Sequence, residues 1–285
     1  MNARAAIFPY FEQPALHIGG TTIYAFGCLV GLAVVSGHWL VVRRAARQGL
    51  DPSVTSRFVL WVILSGFIVS HLDYLAFLRP SPLLRPSSFF EQPLLWLNLW
   101  AGMSSFGGIL GGVLGGWWYA RRCGWSMADV LARLELVAFC FPFAWTVARF
   151  GCYLAHDHPG IPTASWLTVQ YPGGARYDLG LLDCFLALSI GCTFLLLDRR
   201  PRARGFYFAL FLLLYGPARL LLDNLRVEDR FGGVTAGQYG ALAATLLGLF
   251  LLWRLLARPR TMPARGARHL SGRTASVIAA RGEPC

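Results

Sequence analysis

Ala148-Arg149-Phe150-Gly151-Cys152-Tyr153-Leu154-Ala155-His156-Asp157-His158-Pro159-Gly160-Ile161-Pro162-Thr163 closes a long apolar run that begins near Leu136. Arg149 stands with more than a turn of apolar helix around it. Placing an arginine at membrane depth costs roughly 2.5–3.5 kcal/mol on insertion scales. An arginine kept there has two readings. Either it faces an interior cavity and meets an anion, or it sits at a helix end and snorkels into the headgroups. Behind it come Gly151, the titratable His156, Asp157 and His158, and then Pro159 and Gly160, which break the helix. A cation and three titratable groups therefore gather where a hydrophobic segment surfaces.

Composition agrees with a membrane setting. Of 285 residues, 55 % are hydrophobic and only 14 % charged, and mean hydropathy is +0.50. Soluble domains carry about 25 % charge. The net charge of +12 comes from 26 basic residues, all of them Arg. These lie in short clusters between apolar runs, the pattern of membrane topology and not of a nucleic-acid surface. Seven cysteines show no Cys-x-x-Cys spacing, so neither a disulfide framework nor a metal site is expected. Residues 1–21 contain Pro9, Glu12 and Pro14 and no apolar core, so no cleavable signal peptide is expected.

Seven apolar runs follow: Thr22–Val42, Phe58–Leu78, Met103–Ala120, Val130–Phe150, Leu179–Leu197, Gly205–Leu222 and Ala236–Leu255. Each is close to the ~20 residues that span a bilayer as a helix. Arginines are dense after runs one, three, five and seven (Arg43, Arg44, Arg47 and Arg57; Arg121 and Arg122; Arg199, Arg200, Arg202 and Arg204; Arg258 onward). They are sparse in the alternate segments. The positive-inside rule then puts the N-terminus outside and the C-terminus in the cytoplasm. The expected fold is all-α, a polytopic bundle of seven transmembrane helices, with residues 1–258 as one membrane unit. The Arg-rich tail 259–285 is expected to lie disordered against the inner leaflet. Ser87–Trp100, aromatic and too polar to span, reads as an interfacial segment. Gly160–Asp178 reads as a small extracytoplasmic cap, with Thr168–Tyr171 a possible strand.

Three further stretches carry polar chemistry. Run two contains His71 and Asp73, either as packing residues bonded to a neighbouring helix or as site residues. In run three, glycine pairs recur every four residues from Gly107-Gly108 to Gly115-Gly116. They make a close-packing ridge that also leaves room for a lipid. At the end of run six, Arg219, Asp223 and Arg226 fall at i, i+4 and i+7, one helix stripe. Two arginines and one carboxylate leave surplus positive charge, and guanidinium binds phosphate in a bidentate manner. The alternative is an ion-pair ladder at the membrane surface.

From about Ile7 to Leu252 the chain resembles the bacterial prolipoprotein diacylglyceryl transferase family. The resemblance rests on Gly102-Met103-Ser104 leading into the Gly-Gly run, and on Arg149, Gly151, Asp157 and Gly160 in the family's Arg-x-Gly-Asn-x-x-Asn-x-Glu-x-x-Gly signature. It rests also on Tyr215-Gly216-x-x-Arg219-x-x-x-Asp223-x-x-Arg226, on Asp183, and on Gly237-Gln238. It implies transfer of the diacylglyceryl group of phosphatidylglycerol to the lipobox cysteine of a prolipoprotein, in a bacterial inner membrane, with no cofactor and no metal. Arg149, Arg219, His156 and Asp157 are then the expected catalytic residues. Tyr24, Phe26, His71, Gly107, Gly108, Gly151, Gly160, Tyr215, Asp223 and Arg226 are expected to line the substrate.

The chain also departs from the family. Phe106 stands where the family has a histidine proposed as base, Cys152 and Ala155 replace asparagines, Phe26 replaces a tyrosine, and Asp157 and Asp223 shorten glutamates. A divergent relative with another acceptor, or a lipid-binding protein without chemistry, would keep the same arginines. If the chain is a transferase, another group takes the thiol proton. His156 is expected over His158, because it lies two helical turns from Arg149 on the helix side of Pro159.

Overall fold

The computed structural model describes residues 8–75, 102–227 and 232–257. Among these, seven long helices run in the order α1 (Ala25–Arg47), α2 (Pro52–Asp73), α3 (Ser105–Arg122), α4 (Met127–Ala155), α5 (Leu179–Leu197), α6 (Phe206–Leu222) and α7 (Ala236–Leu256). Each overlies one apolar run of the sequence. Six are long and apolar enough to cross a membrane. The seventh, α3, carries glycine at six of its 18 positions and ends in Arg121-Arg122, which lowers its hydropathy. The interfacial segment expected at Ser87–Trp100 and the 259–285 tail lie outside the described residues.

Helix starts follow local chemistry. Asp51 caps α2 by accepting from Ser53 N and Val54 N, with Pro52 in the first turn. Ser126 and Asp129 form a capping box on α4, and Thr235 and Gln238 one on α7. The α3 glycines lie against α2. A Cβ on Gly111 would run into the Ser65 carbonyl oxygen, and one on Gly107 would come within 2.7 Å of the Val69 carbonyl. The ridge therefore packs backbone on backbone, as the four-residue spacing implied.

The two ends of the bundle differ. Phe58, Leu136, Phe139, Ile190, Phe194 and Tyr207 form a dry core toward the early half of α4 and the late half of α5. Arg44 lies over the Phe139 ring at 3.4 Å and makes two bonds to Asp198, at 2.9 and 2.6 Å, closing that end. Leu32, Val35, Leu64, Ile109, Leu195, Leu196 and Trp253 are exposed around the circumference, where a bilayer would solvate them.

At the opposite end the all-α expectation needs amendment. The expected cap is a four-stranded sheet, ordered β1 (Phe8–Pro9), β5 (Val169–Tyr171), β6 (Gly174–Asp178) and β4 (Pro159–Pro162). A separate hairpin pairs β2 (Ala15–Ile18) with β3 (Thr21–Tyr24). Its turn is made by Gly19 and Gly20, at φ +53° and +84°, which suit glycine. The strand near Thr168–Tyr171 was legible; the hairpin, entirely exposed, was not.

Candidate functional site

Three helices bring ionisable groups together beneath the cap: the last turns of α4, the first turns of α5 and the last turn of α6. Arg149 is buried on α4, with its Nε 2.9 Å from Asp183 Oδ2 on α5. Arg219, near the end of α6, places Nη1 3.2 Å from the same oxygen. Arg219 Nη2 also reaches Asp223 Oδ1 at 3.0 Å, and Arg226 Nε reaches that oxygen at 3.0 Å. The result is one chain, Arg149–Asp183–Arg219–Asp223–Arg226, with three cations and two carboxylates. One positive charge remains over.

Asp223 is fully buried and fixed from a second direction. Thr235 Oγ1 donates to its Oδ2 at 3.1 Å, and Gly237 is so close that a Cβ there would overlap the carboxylate. The N-terminus of α7, with its favourable dipole, therefore faces this acid. Gln238 completes the α7 cap and donates through Nε2 to Leu220 O at 3.1 Å and Asn224 Oδ1 at 3.0 Å. Gly237 and Gln238 thus tie the last helix to the arginine stripe. The stripe does not ride one continuous helix: α6 tightens to a 3₁₀ turn over Asp223–Leu225, and Arg226 is extended, paired across a β-bridge to Gly160.

The Arg149 Nε contact with Asp183 is close but not aligned as a hydrogen bond, and among the described residues Asp183 Oδ1 and Asp223 Oδ1 alike accept no hydrogen bond. Among the described residues the hydrogen bond of Arg149 goes to the Cys152 sulfur, through Nη1 at 3.6 Å. Its guanidinium stacks over the Trp145 ring at 4.5 Å. The snorkelling reading does not fit: the side chain points inward, to a carboxylate. Tyr215, one turn before Arg219, lies within electrostatic reach of Asp183, Arg219 and Arg149.

His158 and Asp157 continue the site outward. Cys152 Sγ, an Asp157 carboxylate oxygen and a His158 ring nitrogen all lie within 4.8 Å of one another. The donor types would suit a metal ion, but the arginines set them in a positive field that disfavours a cation. Partial desolvation raises the Asp157 carboxyl above the usual range, partly offset by Arg149, although about 35 % of its side chain remains exposed. Burial, followed by Arg149, Arg226 and Arg219, pushes the His158 imidazole down to about 4. Asp157, His158, Pro159, Arg176, Leu179, Arg226 and Val227 line a cavity of about 330 Å³ that opens from this point.

His156 goes elsewhere. The α4 helix stops at Ala155, and His156 is its C-cap in the left-handed conformation, φ 49°. This turn defeats the face-sharing argument made from two helical turns. The imidazole Nδ1 meets Asp178 Oδ2 at 2.8 Å. Tyr171 OH donates to the same oxygen at 2.8 Å, and Asp178 Oδ1 accepts from Leu181 N, capping α5. The Tyr10, Phe11, Tyr153 and Tyr171 rings enclose the imidazole. His156 pins the cap to α4 and α5, whereas His158 faces the arginines.

The remaining expected residues divide. Gly151 packs α4 on α1, where a Cβ would meet Leu29 at 3.3 Å and Phe26 at 3.5 Å. Gly160 lies against Leu225 O, where a Cβ would come to 2.8 Å, so cap and arginine stripe touch through it. Gly107, Gly108 and His71 belong to the α2–α3 seam, with His71 Nδ1 3.2 Å from Gly102 O. No contact brings them to the arginines among the described residues. Tyr24 is half exposed at the N-cap position of α1, where its side chain makes no capping hydrogen bond, and Phe106 is exposed on α3.

This geometry can be set beside known proteins. The family model described as prolipoprotein diacylglyceryl transferase matches residues 13–254. The chain belongs to the prolipoprotein diacylglyceryl transferase family. Its relatives include phosphatidylglycerol–prolipoprotein diacylglyceryl transferases from three bacteria. That of Symbiobacterium thermophilum is 28 % identical over 269 residues, 89 % of this chain and 96 % of the relative. That of Pseudomonas savastanoi pv. phaseolicola is 28 % identical over 266 residues, covering 86 % and 94 %. That of Pseudomonas fluorescens is 29 % identical over 273 residues, covering 90 % and 97 %. The similarity therefore spans the helices and the cap alike.

Proposed function

We propose that the protein transfers the diacylglyceryl group of phosphatidylglycerol to the lipobox cysteine thiol of prolipoproteins, forming a thioether. The observation that carries this reading is the shared oxygen of Asp183. Arg149 and Arg219 lie 2.9 and 3.2 Å from it, so one phosphate of similar size can touch both. The headgroup phosphodiester enters as a monoanion, and glycerol phosphate leaves with a second negative charge developing. Arginines fixed by Asp183 and Asp223 stabilise the departing dianion more than the bound diester, which lowers the barrier. Gly160 and Gly151 let the cap and α1 close on this point, and Tyr215 lines it beside Arg219.

The substrate thiol is the nucleophile only as thiolate, so a proton acceptor is required at the same face. In this reading all seven helices span, α3 with its glycine face packed on α2 and its apolar side chains turned outward. The cap lies on the outer face of a bacterial inner membrane, with the Arg-rich helix connections inside. Phosphatidylglycerol and the prolipoprotein signal peptide both arrive from that membrane, and no nucleic acid, metal or cofactor takes part.

The test is complementation of a strain depleted of its own transferase, read by mass spectrometry of a test lipoprotein. A diacylglyceryl adduct on the lipobox cysteine is the expected result. Growth without the adduct, or lipid binding without either, would instead favour a different acceptor or a non-catalytic role.

A further inference from the structure

The proton acceptor follows from which groups surround the arginine chain. Phe106, on α3, offers none, and His156 is committed to Asp178 within its aromatic enclosure. His71 is held at Gly102 O in the α2–α3 seam. His158 differs in three ways. Its ring lies within 4.8 Å of the Cys152 sulfur, which Arg149 Nη1 contacts at 3.6 Å. It lines the cavity together with Arg226 and Arg176. Its carbonyl accepts from Leu179 N at 3.1 Å, so its backbone is fixed to the start of α5, four residues before Asp183.

We propose that His158 is the catalytic base, removing the proton from the lipobox thiol beside the phosphate held by Arg149 and Arg219. This rests on the transferase reading given above. The step balances as follows. The thiol proton passes to a His158 ring nitrogen. The thiolate forms a bond to the glyceryl carbon of the diacylglyceryl group, and the bond from that carbon to the phosphate oxygen breaks. The electron pair leaves on glycerol phosphate. The imidazolium then returns its proton to the phosphate monoester or to water.

Electrostatics couple this base to the lipid. The groups facing His158 are Asp157 beside it, Cys152 and Arg149 from α4, Arg219 and Arg226 from the α6 end, and Arg176 from β6. Burial first, and then Arg149, Arg226 and Arg219, hold the imidazole down to about 4 and so make it a weak base. A phosphodiester bound to Arg149 and Arg219 offsets those cations and raises the proton affinity of His158. The second charge that develops on the leaving phosphate raises it further. The base therefore strengthens only when lipid is present and as the reaction proceeds. The sign follows: activity falls as pH drops through the His158 pKa. The acid limb of kcat, which reports the lipid-bound enzyme, lies at higher pH than that of kcat/KM, which reports the free enzyme.

The experiment uses the full-length protein in nanodiscs with phosphatidylglycerol and a lipobox peptide. It compares the native protein with His158→Gln and His158→Ala across pH, alongside phosphatidylglycerol binding. The expected result for His158→Gln is a fall in kcat of about 10²–10⁴-fold, with lipid binding retained and the rate rising with pH. Added imidazole should restore part of the rate in His158→Ala. A native rate and pH profile in His158→Gln would overturn the assignment. So would a loss that imidazole does not rescue and pH does not relieve, which marks a structural role. Absence of transfer by the native protein would overturn the transferase reading and this assignment together, so the two failures are distinguishable.

Discussion

Asp183→Asn probes the arginine chain directly. The exposure of the Arg149 and Asp183 side chains, 7 % and 1 %, puts this pair in the buried regime, not among surface ion pairs. Removing one partner of a buried pair costs about 3–5 kcal/mol, because the other charge is left uncompensated. The loss here exposes two guanidiniums at once, since Arg149 and Arg219 meet the same oxygen. The amide oxygen of Asn still accepts one hydrogen bond, which holds the cost to the lower half of that range. An anion can stand in for the lost charge. Glycerol phosphate at a hundred times its Kd should restore about 2.7 kcal/mol by mass action. The assay is thermal unfolding of the protein in nanodiscs lacking phosphatidylglycerol, with and without glycerol phosphate. The variant should unfold earlier, and its gain from the anion should exceed that of the native protein. A variant within about 0.5 kcal/mol of native, with no greater response to the anion, would refute the argument that Asp183 compensates both arginines.

Arg149→Lys should fold but lose transfer by at least about 100-fold, because an ammonium cannot reproduce the planar fork at a developing phosphate dianion; single-turnover transfer measures it. His156→Gln leaves Asp178 without one of its donors, at a cost of about 1–3 kcal/mol, and amide exchange in β6 should quicken while the acid limb of the activity profile stays in place. Gly111→Ala should push α2 from α3 and destabilise by about 1–3 kcal/mol, whereas Gly112→Ala, whose Cβ would first meet Val62 at 3.4 Å, should be tolerated; unfolding curves separate the two. Asp198 is held below the usual carboxylate range by Arg44, so its contribution is present at neutral pH and is lost as pH falls below about 4. Asp198→Asn should flatten that acid loss of stability.

The helices were legible because each apolar run is long and punctuated by arginine. The paired character of Arg219, Asp223 and Arg226 was legible from spacing alone. The α2–α3 seam was legible in the same way, from glycine pairs four residues apart. What the chain hides is long-range pairing. Asp183 shows in the sequence as one acid in an apolar helix. Its meaning comes from Arg149 on α4 and Arg219 on α6, 34 residues before it and 36 after. Asp178 stands in the sequence as the end of a loop, and nothing local announces that it caps α5 or that His156 turns toward it. The argument that set His156 and Arg149 on one helix face does not hold, because of one backbone dihedral. A left-handed cap residue ends α4 and redirects both imidazoles, and a non-glycine residue in that conformation carries no reliable sequence mark. The β2–β3 hairpin was missed because its strands are exposed on all sides and lack the alternation that marks a buried face.

The central claim is that the arginine chain serves diacylglyceryl transfer from phosphatidylglycerol. The measurement that tests it most directly is mass spectrometry of a lipobox peptide incubated with purified protein and phosphatidylglycerol, with released glycerol phosphate quantified in the same reaction. The account predicts a peptide heavier by one diacylglyceryl group at its cysteine, glycerol phosphate released in equal amount, and neither product with Arg149→Lys. An unmodified peptide in the presence of protein that demonstrably binds phosphatidylglycerol would contradict it.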